Sequence, residues 1–297
     1  MGIDINTARF FISAYQDSIR FGKVLTLGKQ NLYVKPSELS LLKAELKRLN
    51  SDLPVDDLQP KGLADPIFQA FDSTEVLSMD KSDFEGADLL HDMNFPVSES
   101  YKEQFDLVYD GGTLEHIFNF PIAIQNIMEM VKVGGHLIIQ TPTNNWSGHG
   151  FYQFSPELYF RVLSAENGYK IKRMVVFEWG PNNWYEVSDP LEVNARVYVV
   201  NNCRTSLLIL AERVTADAIN QTPPQQSDYA FSKWTADKKN KTNAATPTAL
   251  KRKTAIAIAK QLIPRRLLET VKTAIGKKPQ EVDYFSCQPR FFKPVDK

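Results

Sequence analysis

From Phe105 to Ile117 the chain reads FDLVYDGGTLEHI, and after one helix length it continues VKVGGHLIIQTP from Val131 to Pro142. A short apolar run ending in Asp110, a turn at Gly111 and Gly112, an amphipathic segment, paired glycines and a second apolar run together predict one βαβ unit. That unit constrains the fold more than any other feature. Strands joined through a helix lie parallel, and a parallel sheet is covered by helices on both faces. Ligands of such sheets bind past the carboxyl ends of the strands. Asp110 to His116 and Thr141 to His149 fall there, bringing acids and two imidazoles to one edge.

The same alternation runs through the flanking sequence. Ala8, Phe11, Ile12, Tyr15 and Ile19 recur at helical spacings and predict a helix from Asn6 to Phe21. Lys23 to Leu27 predicts a strand with Gly28 as its turn. Pro36 to Asn50 and Asp65 to Phe71 predict two helices before the next strand at Glu75 to Met79. This is more chain than a crossover needs, so 35–72 reads as a helical insertion. A short strand around Ala87 to Leu90 leads into His91 and Asp92. Asn119 and Pro121 suit the start of the helix that follows Asp110, and Gly134 suits its end. A helix from Ser155 to Gly168, strands at Lys172 to Trp179 and Leu207 to Arg213, and a helix over Asp189 to Ala195 complete an α/β pattern with a mostly parallel sheet.

With 297 residues and 43% hydrophobic content, the chain can bury one large core and carry an appendage. Formal charge is zero, yet residues 215–297 hold 16 basic and 7 acidic side chains against 19 and 28 before them. An acidic body, 1–214, thus precedes a polar linker, 215–247, and a basic amphipathic helical tail, 248–297. Cys203 and Cys287 form no CxxC pair, which argues against a disulfide framework or thiolate metal site and for a reducing compartment. The N-terminus lacks a signal-peptide pattern, Asn6 stands where a myristoylation motif wants Ser or Thr, and no run approaches the roughly 18 apolar residues of a spanning helix. The expected location is cytoplasmic. No HxxxH or HExxH spacing marks a metal site, no GxSxG a serine hydrolase, and Gly28 alone makes no dinucleotide-binding GxGxxG.

Asp80 at the end of a strand, HDMN at His91 to Asn94, FDLVYDGGTLEHI and VKVGGHLIIQTP together resemble the class I S-adenosylmethionine-dependent methyltransferases, over roughly Lys23 to Arg213. The resemblance extends to methyltransferase domains found with bacterial surface-glycan enzymes. It implies a Rossmann-like, doubly wound, mostly parallel seven-stranded sheet and S-adenosyl-L-methionine as cofactor. Gly28, Lys29, Asp80, Asp92, Met93, Asp110, Gly111 and Gly112 would hold that cofactor. Asp80 would take the ribose hydroxyls, since a carboxylate accepts two O–H donors, and Asp92 the adenine. Lys29 would meet the methionine carboxylate. The chain departs from the family in its first motif, where Thr26 replaces an acid and Gln30 replaces a glycine that leaves room for backbone approach.

Methyl transfer to a hydroxyl requires an aligned acceptor and a group that takes its proton. The expected catalytic residues are His149, His116 and Asp110, with Glu115 beside them. His149 is the expected base, because imidazole titrates near neutrality and NNWSGHGFYQF brings glycines and aromatics to it. Asn144, Asn145, Trp146, Phe151 and Tyr152, with Trp179, Asn182, Asn183 and Trp184, pair aromatic faces with amides, as a saccharide or other small hydroxylated acceptor wants. The rival expectation is a non-catalytic methyltransferase-like scaffold that has lost its cofactor through Gln30. In the tail, Ile263, Leu267, Val271 and Ile275 are flanked by Arg265, Arg266, Lys272, Lys277 and Lys278. Such a basic amphipathic stretch, 249–278, suits an anionic membrane surface at the inner face, the acidic body or a second subunit. Nucleic acid is not expected, since the basic residues lack interleaved aromatics.

Overall fold

A computed structural model describes residues 2–49, 52, 55–180, 183–229 and 292–294. Strand β1 (Gly2–Ile3) leads into helix α1 (Ile5–Gln16). Asp4 caps α1 by accepting the Thr7 N–H at 2.8 Å, and Ala8, Phe10, Phe11 and Ala14 bury its apolar face. The helix stops at Gln16 rather than Phe21. Ser18 adopts a left-handed conformation (φ 69), and the Ser18 and Ile19 N–H groups turn back to Tyr15 and Ala14. β2 (Gly22–Leu27) follows, then β3 (Asn31–Leu32), which pairs parallel with β1. Two helices, α2 (Pro36–Leu49) and α3 (Asp65–Gln69), precede the next long strand.

The central unit comprises β4 (Ser73–Asp80), β5 (Leu89–Leu90), β6 (Phe105–Gly111), α4 (Phe120–Met130) and β7 (Val131–Asn144). Asn119 precedes α4 but does not cap it with its side chain, whose Nδ2 donates to the Asn94 carbonyl at 3.0 Å. Gly134 does not end the helix either. β7 begins directly after Met130, and Gly134 lies inside that strand. Beyond it come α5 (Pro156–Val162), β8 (Tyr169–Glu178), β9 (Trp184–Val187), α6 (Pro190–Val193), β10 (Thr205–Arg213) and β11 (Phe292–Pro294).

The main sheet has the order β11-β9-β8-β10-β7-β6-β2-β4-β5. From β5 to β7 every pairing is parallel, as the βαβ pattern predicts. On the other side β10 runs antiparallel between β7 and β8, and β9 and β11 add antiparallel pairings. The sheet is therefore mixed and nine-stranded, eight strands coming from the body, not mostly parallel and seven-stranded. The stretch between Glu178 and Trp184 is too short for a crossover, so β8 and β9 form a hairpin. β11 comes from the basic end of the chain, where a helical tail is predicted.

Side chains alternate across a strand, so each buried strand feeds two cores. Val24, Leu107, Tyr109, Ile138 and Leu208 pack with α1, α2 and α3, while Leu25, Val108, Leu137, Ile139 and Ile209 pack with α4 and α5. Phe11 ties the first core together, edge-on to Phe21 at 5.5 Å and to Tyr109 at 5.1 Å. Residues 215–229 lie against the body instead of beginning a linker. Ile219 is buried, the Asn220 N–H donates to Asn167 Oδ1 at 2.8 Å, and Ser227 Oγ donates to Glu157 Oε1 at 2.6 Å. Residues 230–247 of the predicted linker and the basic stretch 249–278 lie outside the described residues. Among the described residues no helix is long and apolar enough to cross a membrane.

Candidate active site

β2, β4 and β6 are parallel, so Leu27, Asp80 and Gly111 end at one edge of the sheet, where a nucleoside would sit. Gly28 turns the chain there with φ +70. Asp80 Oδ1 accepts the Lys81 N–H at 2.6 Å, and Oδ2 takes no donor among the described residues. One carboxylate oxygen thus remains for a ribose hydroxyl. Its neighbours are more committed. Asp92 binds the Asn94 N–H at 3.0 Å and side chain at 2.8 Å, and Lys81 Nζ at 3.0 Å. Those partners, led by the Asn94 amide, lower its pKa to about 2. Lys29 pairs with Asp88 at 3.1 Å instead of standing free for a cofactor carboxylate. Asp88 also accepts the Ser78 N–H and hydroxyl, at 2.8 and 2.7 Å. Met93 is buried in the apolar core beside α4.

Gln30 is also buried, and its Nε2 donates to the Leu27 carbonyl at 2.7 Å and the Gly28 carbonyl at 3.2 Å. Its Oε1 is a buried acceptor with no donor, lying 2.5 Å from where a Cβ on Gly111 would stand. The amide therefore fastens the β2 turn from inside while leaving one acceptor orphaned beneath the strand ends. With that acceptor and the spare Asp80 oxygen, the edge fits a nucleoside cofactor. Gly28, Asp80, Gly111 and Gly112 are the residues that would hold it, whereas Lys29 and Asp92 are occupied.

The other half of the edge is built by two turns stitched together. After β6, Asp110 Oδ1 accepts the Thr113 N–H at 2.8 Å and starts the 3-10 turn Leu114–His116. After β7, the Phe151 and Tyr152 N–H groups donate to the Glu115 carbonyl at 2.7 and 3.2 Å. A Cβ on Gly150 would meet that carbonyl at 2.7 Å, so glycine permits the approach. The result brings Glu115 Oε1 to 3.7 Å from His149 Nε2, with the His116 and His149 rings 5.0 Å apart.

These side chains open on a cleft of about 480 Å³, also lined by Asp4, Tyr33, Gly111, Gly112, Gln140, Trp146, Trp179 and Ser206. Trp146 and Trp179 meet edge-on at 5.6 Å, their N–H groups fixed by the Thr205 carbonyl and Ser206 Oγ, both at 2.9 Å. At the floor, Gln140 Oε1 accepts the hydroxyls of Thr7 at 2.5 Å and Tyr109 at 3.2 Å.

Burial raises the Glu115 pKa, helped by the charge of Asp110, and burial likewise raises Asp110. Burial, and secondarily the charge of His149, lowers His116. Asp110 Oδ2 and Glu115 Oε2 are buried without any hydrogen bond among the described residues. The expected catalytic trio separates accordingly. His149 and His116 face the cleft, whereas Asp110 is fully buried beneath it and can touch neither acceptor nor cofactor. Glu115, weighed only as a neighbour in the sequence, stands at the centre.

Other expected residues are displaced. Asn145 donates to the Asn201 and Cys203 carbonyls at 2.9 and 2.7 Å, and Asn144 to Asn201 Oδ1 at 3.2 Å, so both tie down the start of β10. Tyr152 stacks on Phe154 and Phe151 meets Phe118, outside the cleft lining. Trp184 is a core residue whose Nε1 donates to Asn6 Oδ1 at 2.8 Å. Asn183 reaches Glu178, and Asn182 lies outside the described residues. Tyr33, Asp4 and Gln140 join the site unforeseen. Only Gln140 carried a signal, as the polar break in LIIQTP.

A larger cleft of about 650 Å³ lies along β8, β9 and α5. Three of its cations are held: Arg161 pairs with Glu157 and Asp189, Lys172 binds Glu212 at 3.1 Å, and Arg173 donates to Ser13 Oγ at 2.6 Å. Orphaned acceptors and adjoining imidazoles make the smaller cleft the candidate site.

No family model matches the chain, and no curated protein matches it. Solved structures similar to it include the branched-chain polyamine synthase from Thermus thermophilus in complex with N4-aminopropylspermidine and 5'-methylthioadenosine. That structure is 14% identical with a TM-score of 0.39, over 74% of this chain and 59% of its own. TehB from Haemophilus influenzae is similar at 12% identity and TM-score 0.33, over 69% of this chain and 62% of that one. The trans-methyltransferase CalH, in complex with SAH, is similar at 11% identity and TM-score 0.35, over 70% and 56%. This chain thus spans less than two thirds of each of the three.

Proposed function

We propose that the chain is an S-adenosylmethionine-dependent O-methyltransferase acting on a saccharide or another small hydroxylated acceptor. The observation that carries this reading is the juxtaposition at one sheet edge. Asp80, with a carboxylate oxygen to spare, ends one parallel strand, and the cleft of Glu115, His116 and His149 opens past the ends of β6 and β7. Bound there, the cofactor supplies an electrophilic methyl group. Gly28, Asp80, Gly111 and Gly112 bind and orient it. Trp146 and Trp179 offer ring faces to the acceptor's C–H groups, and Gln140 and Ser206 line the same wall. His149 takes the hydroxyl proton as the new C–O bond forms, and Glu115 Oε1 lies 3.7 Å from its Nε2. Asp80→Ala should bind the cofactor at least about tenfold more weakly in calorimetry, since the charge-assisted hydrogen bond to its spare oxygen is lost. Absence of any heat with cofactor and wild-type protein would overturn the reading.

A second reading has its own observation. Gln30 is tied to the β2 turn from inside, Lys29 to Asp88, and Asp92 to Lys81, which is how a sheet edge that no longer binds a cofactor would settle. In that scaffold, Asp80→Ala would change nothing. Methylated product from any acceptor would exclude it.

A further inference from the structure

Glu115, His116 and His149 converge although their sequence spacing matches no metal motif. One donor atom from each, a carboxylate oxygen and two imidazole nitrogens, lies within 4.8 Å of the others. All three residues face the same cleft. An independent observation points to an absent partner. Glu115 is 1% exposed, yet its Oε2 has no hydrogen bond, and its Oε1 is 3.7 Å from His149. A buried carboxylate left in this state costs free energy that a cation beside it would recover.

We propose that Glu115, His116 and His149 form a divalent metal site, with the metal's remaining positions open to the cleft. Two imidazoles and one carboxylate with open positions suit borderline first-row ions such as Fe²⁺, Mn²⁺, Co²⁺ or Zn²⁺, and not Mg²⁺ or Ca²⁺, which prefer all-oxygen sets. Ligands on one ion stand about 3 Å apart, so the cluster must close somewhat on binding. His149 can move to do this, because its side chain is half exposed. Asp110 is buried beneath the cleft, and its Oδ1 accepts the Thr113 N–H at 2.8 Å, which fixes the 3-10 turn that presents Glu115 and His116. It acts as a positioning residue.

The metal site stands apart from methyl transfer, because it needs no cofactor. Where both hold, His149 cannot serve as a ligand and as a free base at once. A hydroxyl bound at an open position of the ion would then be more acidic, and its proton would leave to solvent rather than to His149.

The test uses the full-length, untagged chain, stripped with chelator and titrated with Co²⁺ in the absence of cofactor. Visible ligand-field absorption and calorimetry are the readouts. One Co²⁺ per chain is expected, displaced by Zn²⁺ and not by equal Mg²⁺. His149→Ala and Glu115→Gln should each weaken binding by at least about tenfold, with circular dichroism unchanged. His91→Ala and Cys203→Ser, both outside the cluster, should bind as wild type. Co²⁺ binding that survives His149→Ala, or no binding at all, would overturn the proposal. Binding of Co²⁺ without any heat from S-adenosylmethionine would support the site while sinking the methyltransferase reading.

Discussion

The two halves of the sheet's carboxyl edge are built on opposite principles. On the β2–β4–β5 side, the charges are largely matched within the chain, Lys29 with Asp88 and Lys81 with Asp92, and Gln30 Nε2 donates to the carbonyls of its own turn while its Oε1 stays unpaired. On the β6–β7 side, Asp110 and Glu115 each keep a buried oxygen without a donor, and His149 lies 3.7 Å from Glu115 with the His116 ring 5.0 Å from its own. A satisfied edge is cheap to fold and has little left to offer a ligand. An unsatisfied one stores desolvation cost that only a ligand, proton or cation relieves. The difference makes the β6–β7 side the candidate for ligand chemistry, and on the other side it leaves the spare oxygen of Asp80 as a free acceptor.

The largest expected effect lies at the wall between the halves. A Cβ at Gly111 would meet Gln30 Oε1 at 2.5 Å and Tyr109 Cε1 at 2.9 Å. Gly111→Val should therefore cost about 3 kcal/mol, a fall in melting temperature of roughly 6–12 °C. Adding Gln30→Ala should recover part of that loss in a double-mutant cycle. Strict additivity would show that Gln30 and Gly111 do not share the wall.

A smaller effect separates the halves by pH. Burial holds the Asp110 and Glu115 carboxyls above their ordinary values in the folded state. Their contribution to stability is complete below the unfolded carboxylate range and is lost as pH rises through the raised values. Metal-free protein should lose on the order of 1–2 kcal/mol between about pH 5 and 9. Chemical denaturation of Glu115→Gln across that window should give a flatter profile, and a wild-type profile that is already flat would refute the unsatisfied acceptor half.

The smallest effect tests the satisfied half. Lys29→Ala removes a partly exposed ion pair and should cost only about 0.5–1 kcal/mol at low salt. It should leave cofactor affinity unchanged, because Lys29 is spent on Asp88. A tenfold loss of S-adenosylmethionine affinity in this variant would break the comparison by making Lys29 a ligand-binding residue.

The strands of the parallel half were legible because near-continuous apolar runs such as Val24 to Leu27 and Leu107 to Tyr109 must feed two cores. The hairpin at Trp184 to Val187 was not. Four residues rich in aromatics read equally well as a binding wall, and only pairing with β8 decides between them. In the site, His116 and His149 were visible as residues past strand ends. Asn144 and Asn145 were misread, since nothing local shows that their amides close on Asn201 and Cys203.

The sequence by itself determined the βαβ frame and the edge where ligands of such a sheet gather, because these follow from apolar periodicity and the direction of parallel strands. Only the tertiary structure decided that Asp110 lies sealed beneath the cleft and that Glu115 meets His149. Residues 34 positions apart in the chain become partners when two turns share one carbonyl, that of Glu115, which accepts the Phe151 and Tyr152 N–H groups. Backbone hydrogen bonding between turns has no local signature, so packing alone could place the reactive groups together.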